Sequence, residues 1–475
     1  MQEFMNGLQG KDAEGTIRKL IDLLLKGNLT EQDARQLSEL GQEAVILSLL
    51  AANRKIAQNK HPDPSIPSGQ KSIYTKPNRK KKQSKPGARK GHKGSCRPKP
   101  KTIDRKEEHR LDKCPDCGGE LTRCNQTRTR TIEDIIKDLG TEAVEHTIHR
   151  DYCQSCKKHV EPKVLDALPK STIGHRLVVF TSYLHYLLGV TYSQIREILQ
   201  AHLQTKITDG GMFNMFLRIS RIFEPWYEQI AETAKKAAVL HSDETGWRIN
   251  GVTHWLWCFT SKDACYYMID RSRGSPALLK FFTEIFEGTL VTDFWSAYGS
   301  LCAHSFQKCL VHLLRELERV DIRNKSSSWE LFSKKLRRLL REAIKLRHAE
   351  GYDPEKHKSR IDRIRKRLHN LTIQEYQDVD AKRLIKRLKK YEDQLFVFLE
   401  DTSVPFENNF AERMIRPAVI IRKNSQSNRS EKGAAVQAML MSIYRTLKIR
   451  GHDPMDVINE ALRAYVKTGQ LPVMP

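Results

Sequence analysis

The stretch Ala238–Ser261, A-V-L-H-S-D-E-T-G-W-R-I-N-G-V-T-H-W-L-W-C-F-T-S, decides how this chain is read. Its centre, Asn250-Gly251, is the strongest short hairpin signal, because these two residues accept the positive φ angles of a tight two-residue turn. Two antiparallel strands are therefore expected around it. Before the turn, Val239 and Leu240 run into His241, Ser242, Asp243, Glu244 and Thr245. After it, Trp255, Trp257 and Phe259 alternate with Leu256, Cys258 and Thr260, as in a half-buried strand. An acidic pair beside aromatic residues is costly unless something neutralises it, and a metal ion would remove that cost. The plainer reading is an ordinary hairpin with Asp243 facing solvent.

Forward from the hairpin, Ala264–Asp270 reads as a third strand and Ser275–Phe286 as a helix. Gly288–Asp293 reads as a fourth, buried strand ending on an aspartate, Phe306–Cys309 as a fifth, and Leu310–Val320 as the helix after it. Three antiparallel strands, a helix, a parallel strand, then another strand and helix is the ribonuclease-H-like order. In that arrangement the first and fourth strands are neighbours, so Asp243 and Asp293 meet. Ser326–Leu399 interrupts the pattern with long charged helices. Leu331, Leu336, Leu339 and Leu340 form an apolar stripe, and the opposite Lys/Arg-rich face either lies on DNA or is simply solvated. V-P-F-E-N-N-F-A-E-R-M-I-R-P then predicts a helix from near Glu407 that gathers Glu412, Arg413 and Arg416 and ends at Pro417. A closing apolar helix is expected over Ala434–Leu447, with one more helix and a short tail in 451–475.

Backward from the hairpin, His175–Leu188, Tyr192–His202 and Gly211–Ile222 read as three helices, a helix-turn-helix-like group that any small three-helix bundle would share. Before them stand C-P-D-C and C-Q-S-C. Cys114/Cys117 and Cys153/Cys156 each offer two thiolates from one tight turn, and together they make a four-cysteine structural zinc site with Zn–S distances of about 2.3 Å. Cys124 and His159 rank below these four as ligands. Lys71–Lys101 holds thirteen lysines and arginines and no acid, interleaved with Pro, Gly and Ser. It reads as a disordered arm that tracks phosphates, or as a solvated linker. Residues 12–58 carry apolar positions at helical spacing, with Thr30 capping the second of two helices.

With 475 residues there is room for two to four domains. The formal net charge of +25 points to a polyanion, and nucleic acid is the commonest one. The chain lacks a membrane-length apolar run and a signal-peptide core at Met1–Lys11, so a cytoplasmic protein is expected. Two aspartates on adjacent strands and a glutamate on a later helix would hold two Mg2+ (or Mn2+) ions about 4 Å apart for in-line attack on a phosphodiester. Carboxylates suit hard cations that prefer oxygen. Water would nick a strand first, and the freed 3′-hydroxyl would then attack target DNA.

The motifs H-S-D-E-T-G-W, V-T-D-F-W-S-A-Y, C-L-V-H-L-L-R and E-N-N-F-A-E-R-M-I-R-P, followed by R-K-N-S-Q-S-N-R-S-E-K-G-A, resemble those of bacterial transposases of the insertion-sequence-66 family. The resemblance extends over nearly the whole chain, including the R-K-G-H-K-G linker. It implies a DDE transposase whose acids are Asp243, Asp293 and Glu412. Glu407, where relatives often have Asp, is a rival for the third, and Glu244 a weaker rival for the first. It also implies that His312 and Arg315 contact the scissile phosphate or flanking strand, and Glu316 stands where members often carry a second Arg. Arg413, Arg416, Arg422 and Lys423 are read as DNA-backbone contacts. Element ends and target DNA are the implied partners, with a homo-oligomer at synapsis and small accessory proteins of the same element.

The resulting organisation is a helical segment 1–60, a basic linker 61–105, a zinc ribbon 106–165 and a helix-turn-helix-like domain 166–235. A ribonuclease-H-like α/β catalytic domain over 236–450 follows, with its helical insertion at about 322–400, then a tail over 451–475. The competing readings are a catalytically silent DNA-binding regulator descended from a transposase and a nuclease of the same fold. Retention of all three acids argues against the first, and the large N-terminal apparatus against the second.

Overall fold

The computed structural model describes residues 30–39, 45, 99–135, 140–425 and 427–475. Most of the helical segment expected over 12–58, and the basic arm up to residue 98, lie outside the described residues. The chain divides into two compact units, Met1–Arg79 and Lys80–Pro475. In the first, helix α1 (Glu31–Glu39) begins at the expected cap: the Asp33 N–H donates to Thr30 Oγ1 at 3.2 Å, and the Thr30 N–H donates to Asp33 Oδ2 at 3.0 Å.

The second unit is mixed α/β, with two sheets and many helices. The first sheet holds β1 (Arg105–His109), β2 (Leu121–Ile135), β3 (Thr141–Cys153) and β4 (Lys158–Val160). Its order is β1-β3-β2, with β4 against β3; β1 runs parallel to β3, and β2 and β4 antiparallel to it. Ile132 and Ile148 pack with Val164 and Ala167 into a small core under this sheet.

Four helices follow: α2 (His175–Ser182), α3 (Tyr192–Leu203), α4 (Asp209–Ile222) and α5 (Glu224–Lys235). The first stops short of the expected Leu188 because the backbone widens into a π turn over Tyr183–Leu187. Thr191 and Gln194 form a reciprocal capping box at the start of α3, and Thr208 accepts from the Gly211 N–H at the start of α4.

The second sheet contains β5 (Val239–Ile249), β6 (Val252–Thr260), β7 (Cys265–Asp270), β8 (Phe286–Thr292) and β9 (Ala303–Lys308), in the order β7-β6-β5-β8-β9. The β5–β6 and β6–β7 pairs are antiparallel, and β5–β8 and β8–β9 are parallel. The hairpin turns at Asn250-Gly251, where φ is +49° and +78°. Helix α6 (Ser275–Phe281) is shorter than expected: Phe286 opens β8, paired with Ala303 and packed on Phe282, instead of closing the helix.

Both edges of this sheet are covered. Along β7, the Cys265 and Tyr267 N–H groups donate to the Thr446 and Ser442 hydroxyls of α12 (Glu431–Ile449) at 3.0 and 2.8 Å. Along β9, the buried Gln307 amide donates to the Leu395 carbonyl and accepts from the Phe398 N–H, each at 3.0 Å. Helix α11 (Asn409–Ser425) packs on β5 and β6, and α12 on β7. Helix α11 runs through Pro417 instead of ending there: Ile415, Ala418 and Ile421 stay buried, so packing outweighs the single hydrogen bond that proline forfeits. The last helix, α13 (Pro454–Thr468), packs against α2.

Between β9 and α11 lie α7 (Leu310–Arg323), α8 (Ser327–Arg347), α9 (Lys358–Ile373) and α10 (Val379–Lys390). Their apolar faces share one core with Val291 of the sheet. Within α8 the stripe differs from expectation. Leu331 is 56% exposed, and Trp329 and Phe332 are buried beside Leu336, Leu339 and Leu340 in its place. The larger rings gain more from leaving water, and they set the rotation of the helix.

Candidate active site and metal centre

The register of the parallel pair β5–β8 sets Leu240 against Leu290 and His241 against Val291. Extended two residues past its last pair, this register sets Asp243 level with Asp293, the residue after β8. Burial pushes the Asp243 carboxyl up to about 8, and the charges of Glu244, Asp293 and Glu412 add to the rise, against the Glu244 N–H that it accepts. The three carboxylates thus feel one another across strands and helix. Among the described residues, however, they are not drawn within 4.8 Å of each other, as the Sγ atoms of Cys114, Cys117, Cys153 and Cys156 are.

Glu244 has a different environment. Its side chain is only 2% exposed and pairs with Arg273 at 2.9 Å, while the Tyr298 hydroxyl donates to it at 3.1 Å. Burial and Asp293 push its carboxyl up to about 7 despite these partners. The Arg273 guanidinium is sandwiched by Trp255 and Trp295 at 4.6 and 3.9 Å. Glu244 is therefore held in an enclosed ion pair. Asp243 instead accepts a hydrogen bond from the Glu244 N–H at 2.9 Å.

Glu412 sits in the first turn of α11, with Arg315 at 3.4 Å and His312 at 3.5 Å. Those two residues lie one turn apart on α7 and face the same carboxylate. Glu407 instead accepts a hydrogen bond from its neighbour Asn409. Glu316 clasps Arg383 and Arg387 of α10, and burial, which alone would raise its pKa, is outweighed by the two arginines so that the carboxyl is held low. Arg413, Arg416 and Lys423 are exposed along α11. Arg422 is half-buried and donates to Thr245 Oγ1 at 2.9 Å and to the Gly246 carbonyl at 2.5 Å.

Two contributors were not singled out by sequence reasoning. Asn408 Oδ1 accepts from His241 Nδ1–H at 3.0 Å, its amide nitrogen donates to the Ser242 carbonyl at 2.8 Å, and its backbone N–H donates to Cys309 Sγ at 3.2 Å. One residue thereby ties β5, the start of α7 and the approach to α11. Lys308, 1% exposed at the end of β9, donates to Thr292 Oγ1 at 2.8 Å beside Asp293. Burial lowers it to about 8, with Asp293 opposing the shift. The available signal was a polar pair, Gln307-Lys308, closing an otherwise ordinary strand. Replacing Asn408 with Ala strands the Ser242 carbonyl and the His241 ring, so thermal unfolding should show a loss of about 1–3 kcal/mol. An unchanged midpoint would mean that the amide does not bind these segments together.

In the first sheet the four cysteines meet. Cys114 precedes β2 and is bonded across its knuckle: its N–H donates to the Gly119 carbonyl, and Gly118, at φ +70°, donates back to the Cys114 carbonyl, each at 2.9 Å. Cys153 ends β3, and Cys156 follows in the turn to β4. All four Sγ atoms lie within 4.8 Å of one another, with Cys114–Cys156 at 3.6 Å and Cys117–Cys153 at 3.7 Å. A tetrahedron of thiolates at about 2.3 Å from a metal has edges of about 3.8 Å, so this group can hold zinc. Burial alone would raise the Cys114 thiol, but the Asp116 and Cys117 N–H groups outweigh it and bring it down to about 6. Cys124 and His159 lie outside the group.

No helix among the described residues is long and apolar enough to cross a membrane. Uncharacterized protein y4qI of Sinorhizobium fredii (strain NBRC 101917 / NGR234) is 25% identical over 232 residues, 44% of this chain and 43% of its own length. Uncharacterized protein y4jD of the same strain is 22% identical over 394 residues, 74% of each chain. The chain thus spans less than half of the first relative and about three quarters of the second. Residues 170–436, from the start of the helical group to α12, match the Transposase IS66 family. This match takes in both aspartates, the helices of the insertion and the E-N-N-F-A-E-R helix, and by it the chain belongs to the IS66 transposase family.

Proposed function

We propose that the chain is a DNA transposase that binds the ends of its own element and cleaves and joins strands in a ribonuclease-H-like core. Asp243, Asp293 and Glu412 are its metal-holding acids. The supporting observation is the electrostatic burden on Asp243, whose carboxyl is raised by burial and by both of the other acids. An all-oxygen donor set that is costly to ionise by itself suits a hard divalent cation, Mg2+ or Mn2+. When bound, the cation supplies activation of the attacking oxygen and stabilisation of the leaving oxygen.

The residues of the chain have their own parts. Asp243 gives up its proton on loading. Glu412 exchanges its contacts with Arg315 and His312, leaving those two to face a DNA phosphate. Lys308 holds Thr292 and thereby the end of β8 that carries Asp293. Arg413, Arg416 and Lys423 project from α11 as phosphate contacts. Lys325, Lys334, Arg337, Arg338 and Arg341 outnumber Asp321 and Glu330 in the lining of a cleft of about 570 Å³ on the insertion and offer further phosphate contacts. The zinc-binding sheet, the helix-turn-helix-like group and the basic arm serve recognition of the ends, and two copies join them.

The test is strand transfer with full-length protein, labelled element-end DNA and Mg2+, comparing Glu412→Gln with Glu407→Gln. The former should abolish nicking and joining, while the latter stays within a few-fold of wild type. Activity in Glu412→Gln with loss in Glu407→Gln would move the third acid to Glu407. End binding with no cleavage by wild type, in the presence of the element's other proteins, would favour the regulator.

A further inference from the structure

A second cluster of metal-ligating side chains lies on the first sheet, away from the cysteines. Glu107 and His109 stand two residues apart on β1 and so share a face, and the parallel register puts Glu107 directly against His146 of β3. His109 Nε2 and His146 Nδ1 are 2.9 Å apart, and Glu107 Oε2 is 3.5 Å from each. The other Glu107 oxygen is anchored on Arg105 at 2.6 Å. Two imidazoles and a carboxylate around a metal at about 2.0–2.1 Å would form a triangle with edges of about 3.3 Å. A hydrogen bond between the rings accounts for one edge of the observed triangle. It leaves the carboxylate oxygen beyond good hydrogen-bond reach of both.

Two further observations point to a ligand here. Glu107 and His146 line a polar cavity of about 560 Å³, which His175 also lines. His175 is 3% exposed, and neither ring nitrogen has a hydrogen-bond partner among the described residues. Buried polar atoms of this kind are rare unless water or an ion serves them. In addition, β1 reads R-K-E-E-H and has no apolar side chain with which to hold itself on the sheet. Its remaining ion pairs, such as Lys106–Glu145 at 3.8 Å, are exposed and weak. Arg130, the neighbour of His146 on β2, turns its guanidinium to the Leu168 and Ser171 carbonyls, which lessens its opposition to a cation.

We propose that Glu107, His109 and His146 bind a second divalent transition-metal ion of the zinc type, which staples the edge strand β1 to β3 where the chain arrives from the basic linker. Imidazole and carboxylate donors suit this class, and three protein ligands leave one position open to the cavity. The site is independent of the transposase chemistry.

The test uses full-length protein loaded with Co2+ or Zn2+, with metal counted per chain. With excess Mg2+ present to keep the proposed Asp243, Asp293 and Glu412 site filled, two tightly held equivalents are expected: one with the thiolate charge-transfer bands of a four-cysteine site, and one with ligand-field bands alone. His109→Gln, a partly exposed change on the edge strand, and His146→Gln should each lose the second equivalent and keep the first. Zn2+ should also slow amide exchange of residues 105–109 in wild type but not in His109→Gln. A single equivalent in wild type, or full metal content in both variants, would overturn the proposal and reduce the triad to a hydrogen-bonded pair.

Discussion

Replacing Asp243 with Asn is expected to lower strand cleavage by at least about 10³-fold and, in the absence of metal, to raise the thermal midpoint of the protein. The two effects have one cause. In the fold the Asp243 carboxyl titrates near 8, against about 3.9 for an unfolded aspartate. A carboxyl raised in the native state keeps its proton where the unfolded chain has lost it. Metal-free stability therefore falls as pH rises from about 4 to about 8. Glu244, brought up to about 7, adds to the same slope over the lower part of that window. Asn is nearly the same shape, carries no charge and escapes the penalty. Mg2+ should reverse the slope in wild type alone, and its uptake near pH 7 should release protons. The checks are melting curves at pH 5, 7 and 8 with chelator or Mg2+, beside a cleavage assay. Equal midpoints for wild type and variant across this range would show that Asp243 carries no such strain.

The second large effect is expected at the cysteines. Around them the apolar support is small: Cys114, Cys153 and Val160 are buried, with Leu111, Leu121 and Cys156 packed against them. So little surface cannot hold two knuckles closed, and structural zinc contributes about 10–16 kcal/mol in comparable small sites. Cys114→Ser, or a strong chelator, should release the zinc and open residues 111–123 and 153–160 to protease. Melting of the second sheet, with its separate core, should stay in place. End-DNA binding should fall with the loss of the sheet that carries the four cysteines. Protease patterns and metal content, measured together, decide the matter. Retained zinc in Cys114→Ser would mean another ligand completes the site.

Local signals were legible where a residue's conformation decides its own fate. Asn250-Gly251 announced the hairpin, Thr30 marked a helix start, and C-x-x-C marked both knuckles. Signals failed where a tertiary neighbour decides. Pro417 reads as a stop, yet the buried side of α11 carries the helix past it. Phe286 reads as the last residue of a helix, but an adjoining strand claims it. Leu331 fits a leucine stripe, yet Trp329 and Phe332 turn the helix away from it. The same limit holds at the site. Asp243, Asp293 and Glu412 could be named from motifs, whereas Asn408 and Lys308 matter through partners far away in sequence. Glu107, His109 and His146 escaped notice because E-x-H on a polar strand signals nothing until β3 lies beside it.

The hydroxyls of Ser442 and Thr446 and the amide of Gln307 have a consequence for assembly. Each satisfies backbone or neighbouring groups at one margin of the five-stranded sheet. An incoming strand would find no free ladder along β7 unless it first dislodged α12, and along β9 it would meet the segment around Leu395–Phe398. The proposed joining of two DNA ends by two copies would therefore run through helices, loops or the DNA itself, and would leave the strand pairing of this sheet undisturbed.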